Sequence, residues 1–296
     1  MRAGCRRAAT AILALPMLLV SGCLWTTRKL PVPKAPTVTQ TVAPQELVAR
    51  LNKHWDAIQT LVATVEIQPS VMKTEKGVAT DYTSFPGHIL MRKPGQLRVL
   101  GQVPVLGTKM FDMASDGENF TLLIPSKGAA YEGPSKLTKK SPNTLENMRP
   151  GFFLDAIIVR GLSPDEQYTV SADSDTVEDA SKKHLLLIQE YILSVMRPIP
   201  GSQELRQLRV IHFHRDDLLP YQQDLYDDQG NLETQVFYGR YADFGDNKYP
   251  STVTIKRPLE EYQVVLTVEK VTENMPLSDD QFHIKIPEGT KIQQLQ

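Results

Sequence analysis

The fold is decided by the segment Gly87-His88-Ile89-Leu90-Met91-Arg92-Lys93-Pro94-Gly95-Gln96-Leu97-Arg98. An extended run over residues 82–92 stops at Lys93-Pro94-Gly95, and a second extended run resumes over residues 96–101. Adjacent proline and glycine are typical of a tight connection. The segment therefore predicts two antiparallel strands joined by a short turn.

Similar strand-and-turn units continue along most of the chain. The hairpin signal Ser115-Asp116-Gly117 joins predicted strands at residues 108–114 and 119–124. Residues 173–183 are polar and predict an exposed hairpin loop. Turn signals at intervals of about 10–15 residues, with no helix between them, predict antiparallel meanders. The remaining predicted strands are 61–68, 129–132, 167–172, 184–193, 206–214, 220–226, 232–241, 251–256, 262–272 and 282–286.

Two segments predict helices instead. Pro44 suits the first position of a helix, and the residues after it place a stripe of apolar side chains on one face: Leu47, Leu51, Trp55 and Ile58. Residues 143–162 are densely apolar and contain Pro150-Gly151, which predicts two short helical pieces. Because such an apolar segment must be buried, we expect it to cover the interior of the sheet as a plug or lid.

The first 23 residues have the pattern of an export signal. Basic residues in the first seven positions precede an uncharged run over residues 8–20. As a helix this run spans about 20 Å, too short for a membrane core of about 30 Å. It ends in Leu19-Val20-Ser21-Gly22-Cys23, which resembles the bacterial lipobox. The resemblance implies cleavage between Gly22 and Cys23, a diacylglycerylated Cys23 thiol, and an amine acylated with a fatty acid such as palmitate. The alternative is an ordinary signal peptide with an incidental cysteine.

Cleavage changes the charge and the cysteine content of the chain. Residues 23–296 number 274, with 30 Lys and Arg against 34 Asp and Glu, a net charge of −4. This small negative charge argues against nucleic acid as a partner. Cys23 is then the one remaining cysteine, which excludes disulfides, thiolate metal sites and cysteine catalysis. Leu24, in place of an aspartate, favours the outer membrane, with the body facing the periplasm.

The segment after Cys23 predicts a tether. Residues 24–43 contain Pro31, Pro33 and Pro36 and have no apolar period. In polyproline II geometry a segment of this length reaches about 60 Å. The expected organisation is a signal peptide over residues 1–22, a lipidated cysteine and tether over 23–43, and a single domain over 44–296.

The order of a helix, a long meander, an interrupted apolar helix and a second meander resembles the LolA/LolB family of lipoprotein carriers and outer-membrane receptors. The stretches that carry the resemblance span residues 44–290: 47–51 with 62–65, 87–98, 115–120, 225–230 with 236–238, and 282–289. The resemblance implies a mainly β fold with helices (α+β). In that fold a curved antiparallel sheet forms an incomplete barrel around an N-terminal helix and a central helical lid.

The same resemblance implies a hydrophobic cavity that holds acyl chains between the sheet and the lid. Such a cavity stays dry and binds apolar ligands. Arg92 and Lys93, before the hairpin proline, would help to close the lid. The residues expected to line the cavity, each of which an ordinary core could also contain, are Leu97, Val99, Phe111, Phe120, Leu122, Phe152, Phe153 and Ile157.

The expected function is that of a membrane-anchored periplasmic lipoprotein. It would bind lipid or an acylated lipoprotein, in lipoprotein sorting or envelope maintenance, as a monomer and without a cofactor. The alternative is a non-transporting protein-interaction or envelope-sensing module on the same fold.

Several patterns resemble catalytic or metal sites, but their contexts favour neither an active site nor a metal site. Ser70-Val71-Met72-Lys73 has the spacing of serine β-lactamases, but it lies in a predicted strand and lacks the companion motifs. His212 and His214 share one strand face, and a metal site would need a third ligand such as His184 or Asp216. Asp173-Ser174-Asp175 begins like a calcium loop but lacks the glycine at position six. We therefore expect neither a resident metal nor an enzyme.

Overall fold

A computed structural model describes residues 39–73, 77–135, 150–178, 185–245 and 247–295. The predicted signal peptide, Cys23 and the tether up to residue 38 lie outside these ranges, as do residues 143–149 of the predicted lid. The chain divides into two compact units, residues 36–174 with 188–296 and residues 1–35 with 175–187. In the smaller unit, the described residues are the ends of two strands. The larger unit holds all the other elements.

The first helix begins and ends close to where the sequence predicts. Helix α1 (Pro44–Ala57) starts at the proline, and Ile58 after it is already extended. Leu47, Val48 and Leu51 are buried on one face of the helix. The apolar stripe therefore packs into the core, as predicted, because burying it is the main source of stability for a helix of this length.

The first meander runs from the end of α1 to residue 134. Burial alternates strictly along its second hairpin, and Ile89 lies opposite Val99 in the register. A short strand that the sequence did not predict, Val78–Asp81, pairs with the first strand. The strands are β1 (Thr60–Lys73), β2 (Val78–Asp81), β3 (Phe85–Arg92), β4 (Gln96–Gln102), β5 (Lys109–Ser115), β6 (Asn119–Ile124) and β7 (Ala129–Pro134).

The second meander follows the central helix. Its strands are β8 (Gln167–Glu178), β9 (Leu185–Pro198), β10 (Leu205–His214), β11 (Pro220–Tyr226), β12 (Leu232–Tyr238), β15 (Thr252–Arg257) and β16 (Tyr262–Glu273). Between them, β13 (Tyr241–Phe244) and β14 (Asn247–Pro250) form a separate two-stranded sheet. The predicted strand over 232–241 is therefore divided, and Gly239 at the division packs closely against Thr252.

The two meanders join into one curved, unclosed sheet. Strand β1 pairs with β16 from Leu61 opposite Glu273 to Val71 opposite Tyr262. With the last strand β17 (Lys291–Gln294), the order is β17-β7-β6-β5-β4-β3-β1-β16-β15-β12-β11-β10-β9-β8. The described strands therefore leave β8 and β17 as two ends that do not meet. The expected mainly β fold with an incompletely closed sheet is confirmed.

Two of the predicted segments differ from the structure. Residues 173–178 continue β8 instead of beginning a loop. Residues 282–286 are not a strand, because a 3-10 helix over Asp279–Phe282, capped by Ser278, turns the chain and buries Phe282. The last strand is instead β17 (Lys291–Gln294), which lies parallel to β7.

The central helix α2 (Pro150–Ile157) covers both meanders. Pro150 is the first described residue of this helix, a position that suits a residue without a backbone N–H, and the predicted piece before it lies outside the described residues. The helix packs against β4 and β5 of the first meander and β15 of the second. At its end the Tyr249 hydroxyl donates a hydrogen bond to the carbonyl of Ile157.

Candidate functional site

Beneath α2, the first meander presents a wall of apolar side chains. The predicted residues Leu97 and Val99 on β4 and Phe120 and Leu122 on β6 are all buried. Phe111 on β5 is half-buried and packs edge-on against Phe85, with ring centroids 6.0 Å apart. All five of these side chains are apolar.

Helix α2 supplies the opposite side of this apolar region. Phe152, Phe153 and Ile157 are buried, and the two phenyl rings lie 4.2 Å apart. Phe152 also meets Tyr262 of β16 edge-on at 6.1 Å. The structure therefore brings all eight predicted residues into, or against, one apolar core. Their contact with a ligand stays a prediction.

Arg92 and Lys93 hold two other parts of the chain in place. The Lys93 ammonium donates to the backbone carbonyl of Trp55, near the end of α1. It also lies 3.6 Å from the centre of the Trp55 ring. Arg92 donates to the carbonyl of Leu277 at 2.7 Å and stacks over Phe282. These contacts fasten α1 and the C-terminal segment, and a lid-closing role for the two residues stays a prediction.

The second meander presents buried polar side chains to the interior. Arg209, Gln223, Thr234 and Arg257 are each at most 5% exposed. The apolar pattern of the sequence does not predict these residues. A signal was present for Arg209, Thr234 and Arg257, since each is a polar residue at an inward position of a strand with Val or Ile at a neighbouring inward position.

Arg209 is held by a buried carboxylate. Its guanidinium donates to Glu166 at 3.0 Å and to the carbonyl of Gly161 at 2.9 Å. Arg160 and Arg197 donate to the same carboxylate, so one anion faces three cations. Burial lowers the pKa of Arg209 to about 10, because the charged form loses its water.

Gln223 connects this wall to the lid. Its Nε2 donates to the carbonyl of Asp155 on α2 at 2.9 Å. Burial raises the pKa of the Asp155 carboxyl. Within the described ranges, four buried polar side-chain atoms have no hydrogen-bond partner: Arg197 Nε, which lies 2.8 Å from an Asp165 oxygen as an ion pair, and Gln223 Oε1, Arg209 Nε and Tyr238 Oη.

The outer face of the second meander carries a polar cluster. His212 and His214 do lie on one face, and His212 Nδ1 is 2.8 Å from Glu190. His214 stacks on Tyr221 at 4.1 Å, and the Tyr221 hydroxyl donates to Glu190. In the part of the chain that the structure describes, no three His, Cys, Asp or Glu side chains are grouped to hold a metal ion. Residues 70–73 lie in β1, a strand.

Two surface cavities lie away from the apolar region. One, of about 380 Å³, is at the end of the second meander and is lined by His214, Tyr221 and Lys248 among others. The other, of about 550 Å³, lies at the hairpin turns of the first meander, beside Gly95 and Gly117.

The turn between β4 and β5 exposes apolar side chains to solvent. Val105 is fully exposed and Leu106 is 73% exposed. Backbone hydrogen bonds from Val103 to Thr108 and from Gly107 to Val103 close the turn at 2.8 and 3.0 Å. Val105 has φ +67°, which a β-branched residue rarely adopts. Among the helices described, none is long and apolar enough to span a membrane.

Known proteins resemble the chain in fold more than in sequence. No family model matches it, and no curated protein does so significantly. A LolA superfamily protein from Nitrosomonas europaea superposes with a TM-score of 0.51 and 13% identity, over 82% of this chain and 99% of that one. A DUF1329 family protein from Desulfovibrio piger gives 0.49 and 16%, over 80% and 95%. A domain described as that of an outer membrane lipoprotein-sorting protein from Vibrio parahaemolyticus gives 0.49 and 10%, over 80% and 94%.

The topology and the first of these similarities lead to the same assignment. A curved, unclosed antiparallel sheet carries one helix at its N-terminal end and a second helix across its interior. The superposition includes nearly the whole of the Nitrosomonas protein, which supports a shared fold. The chain has a LolA-like fold.

Proposed function

We propose that the chain is a lipid-anchored envelope protein that binds the acyl chains of a lipid or lipoprotein between α2 and the sheet. The observation that carries the proposal is the placement of α2. The described part of this helix has eight residues and packs against strands of both meanders, with the Phe152 ring against Tyr262. The protein acts by binding, and no covalent step is invoked.

A short helix in this position is suited to act as a lid. Helices below about 12 residues are not stable alone in water, so α2 depends on its contacts with the sheet. An acyl chain that replaces those contacts offers the same apolar surface to Phe152, Phe153 and Ile157. Exchange of one for the other then costs little free energy, which makes uptake and release reversible.

The membrane attachment is proposed from Cys23 and from the exposed turn. A diacylated cysteine with an acylated amine anchors a protein stably, since each buried CH₂ contributes about 0.8 kcal/mol. Val105 and Leu106 would add a second contact by inserting into the head-group region of the same membrane. We place the anchored chain at the outer membrane, with its body in the periplasm and in monomeric form.

Photolabelling with a fatty acid that carries a diazirine tests the binding site directly. The probe should bind saturably to the mature chain carrying Cys23→Ala, and a natural fatty acid should displace it. Mass spectrometry should then find the label on peptides that contain residues 97–99, 120–122 or 150–157. Labelling at exposed apolar residues such as Leu259 and Met275, without saturation, would overturn the proposal.

A matched pair of variants adds a quantitative control. Phe153→Ser removes a buried ring from the lid, and Leu259→Ser removes an exposed apolar side chain of similar size. The first should weaken fatty-acid binding at least tenfold, and the second should leave it within twofold. Equal effects would show that the probe does not bind beneath α2.

Cell fractionation tests the anchor. The wild-type chain should sediment with the envelope, and Cys23→Ala should move to the soluble fraction. Leu106→Asp in the Cys23→Ala background should abolish residual binding to phosphatidylethanolamine–phosphatidylglycerol vesicles. Full membrane association of Cys23→Ala would contradict the lipidation.

A second candidate function, a module that binds a protein partner, rests on β8. This strand ends the sheet, and its residues 171–176 are exposed. Such an edge presents unpaired backbone groups to an added strand. Absence of fatty-acid binding, together with capture of a partner that Thr176→Pro abolishes, would favour this function.

A further inference from the structure

We propose that the interior wall of the second meander is a polar subsite, which binds the head group of an acylated ligand whose chain lies against the first meander. This inference rests on the proposed acyl binding and deepens it by assigning the head group to a place. The wall, hereafter the polar wall, is defined by Arg209, Gln223 and Tyr238.

The first observation is the set of unpartnered atoms on the polar wall. Among the residues described, Arg209 Nε, Gln223 Oε1 and Tyr238 Oη have no hydrogen-bond partner, and the three side chains are 3%, 1% and 7% exposed. Buried polar atoms are nearly always paired in folded proteins, and an unpaired one destabilises the state that buries it. Three such atoms on the polar wall therefore destabilise the state in which α2 covers this wall.

The second observation is that the three residues are neighbours in the sheet. Ile211 on β10 lies opposite Gln223 on β11, which lies opposite Val236 on β12. Arg209 and Tyr238 are each two residues from this row, in opposite directions. Standard strand spacing places the three on a diagonal strip about 16 Å long, with Gln223 at its centre. All belong to the inward, buried set of their strands.

The unpartnered atoms specify the chemistry of the ligand. The bond from Gln223 Nε2 to the Asp155 carbonyl fixes the amide, so its Oε1 is available as an acceptor. Arg209 Nε can only donate, whereas the Tyr238 hydroxyl can do both. The complement is a head group with a carbonyl oxygen and a hydroxyl or amide hydrogen.

The charge balance favours a neutral head group. Although Glu166 is shared by three arginines, Asp165 also pairs with Arg197 at 2.8 Å, and the Asp155 carboxyl lies near Arg160 and Arg209, so the cluster does not need a further anion. A free carboxylate would bring two acceptors to Gln223 Oε1 and no donor. A glyceryl ester or an acylated amine supplies both kinds of group, and a plain fatty acid does not.

The lid lies over both walls, which explains how one ligand could reach them. Gln223 and Tyr249 hold the two carbonyls of Asp155 and Ile157 at the end of α2. The same helix also packs against β4 and β5 of the first meander, whose inward residues are apolar. Displacement of α2 therefore uncovers polar and apolar surface together.

A pair of neutral competitors with the same chain tests the subsite. 1-Monolauroylglycerol has an ester carbonyl and two hydroxyls, whereas methyl laurate has the carbonyl alone. Each is titrated against the mature chain carrying Cys23→Ala and loaded with a fluorescent fatty acid. We expect the glyceride to displace the fatty acid at a concentration at least tenfold lower than the methyl ester.

Two variants link that preference to the polar wall. Tyr238→Phe removes one oxygen atom that has no partner, so the fold should be kept, and Gln223→Leu removes the central acceptor. In each, the preference for the glyceride should fall below threefold. Affinity for methyl laurate should stay within twofold in Tyr238→Phe, whereas Gln223→Leu also removes the bond to the Asp155 carbonyl. Tyr131→Phe, the same change in the first meander, should leave the preference intact.

The outcomes separate this inference from the proposed function. A wild-type chain that binds both competitors equally, or a preference that survives both Tyr238→Phe and Gln223→Leu, overturns the polar subsite alone. In that case ordered water is what satisfies these atoms. A wild-type chain that binds neither competitor nor the fluorescent fatty acid overturns the proposed function itself.

Discussion

The inward face of β4, in the first meander, carries Leu97 and Val99, whereas that of β10 and β11, in the second, carries Arg209 and Gln223. Both regions are built from antiparallel strands, although the pairing of β10 with β11 shifts register after His212. The main difference between their interiors is the chemistry of the inward side chains. An apolar wall gains stability from packing, and a polar wall keeps it only where each group finds a partner.

Two aspartates also differ in how their surroundings shift the pKa of the carboxyl group. Asp112 of the first meander is fully buried, which alone would raise its pKa, but hydrogen bonds from Arg98 and Lys109 outweigh this and lower it. Asp155, on the lid, faces Arg160 and Arg209, yet burial outweighs their attraction and raises its pKa. One charge is stabilised by its surroundings and the other is not.

The largest effect is expected from placing a polar group on the apolar wall. Val99→Asn puts an amide opposite Ile89 and Met113, where no partner is available, and should lower the free energy of unfolding by about 3 kcal/mol. Tyr238→Phe, the contrasting change on the polar wall, removes a hydroxyl that has no hydrogen-bond partner. It should change stability by less than about 1 kcal/mol. Urea unfolding of both variants measures this, and equal losses would show that the two walls do not differ.

A smaller effect is expected at Asp112, with a defined dependence on pH. Arg98 donates to both carboxylate oxygens at 2.9 and 2.7 Å, so Asp112→Asn should cost about 2 kcal/mol at pH 7. Because the folded state lowers the pKa, this stability is present above the unfolded pKa of about 3.9 and is lost as pH falls through the folded pKa. The difference between wild type and variant in urea unfolding should therefore shrink steadily as pH is lowered from 5 towards 2.

Asp228→Asn is the control for that measurement. Asp228 pairs with Arg206 at 2.8 Å but is 88% exposed, so its loss should cost less than about 0.5 kcal/mol at any of these pH values. A cost equal to that of Asp112→Asn would mean that burial of the pair contributes nothing.

Much of the sheet follows from the sequence, because its signals are local. Strands β6 and β11 begin and end at the predicted residues, since a turn borders each one. Strand β17 could not be predicted, because all four of its residues are exposed and its pairing with β7 joins distant parts of the chain. The alternation of residues 282–286 suggested a strand, but capping by Ser278 turned the chain first.

The candidate site was predicted only on its apolar side. Apolar residues at inward positions are visible in a period of two, and the eight proposed ones are buried or half-buried accordingly. Arg209 and Gln223 also occupy inward positions, but they are polar and so do not fit the apolar pattern. Their burial depends on Glu166 and Asp155, which lie about 40 and 70 residues away and reach them through the fold.

The smallest effect, at Asp155, has the opposite sign from that at Asp112. Because the folded state raises this pKa, the charged form destabilises the fold, and stability falls as pH rises from the unfolded pKa through the folded one. Asp155→Asn removes the titration, so it should equal wild type at pH 3 and exceed it by about 1 kcal/mol at pH 7. Urea unfolding at the two pH values measures the difference. A variant less stable than wild type at pH 7 would show that Arg160 and Arg209 do stabilise the carboxylate, and the contrast between the two aspartates would then be wrong. A variant more stable than wild type would mean that the charge on Asp155 destabilises the packing of α2 at neutral pH. This helix lies above the wall that holds the unpartnered atoms.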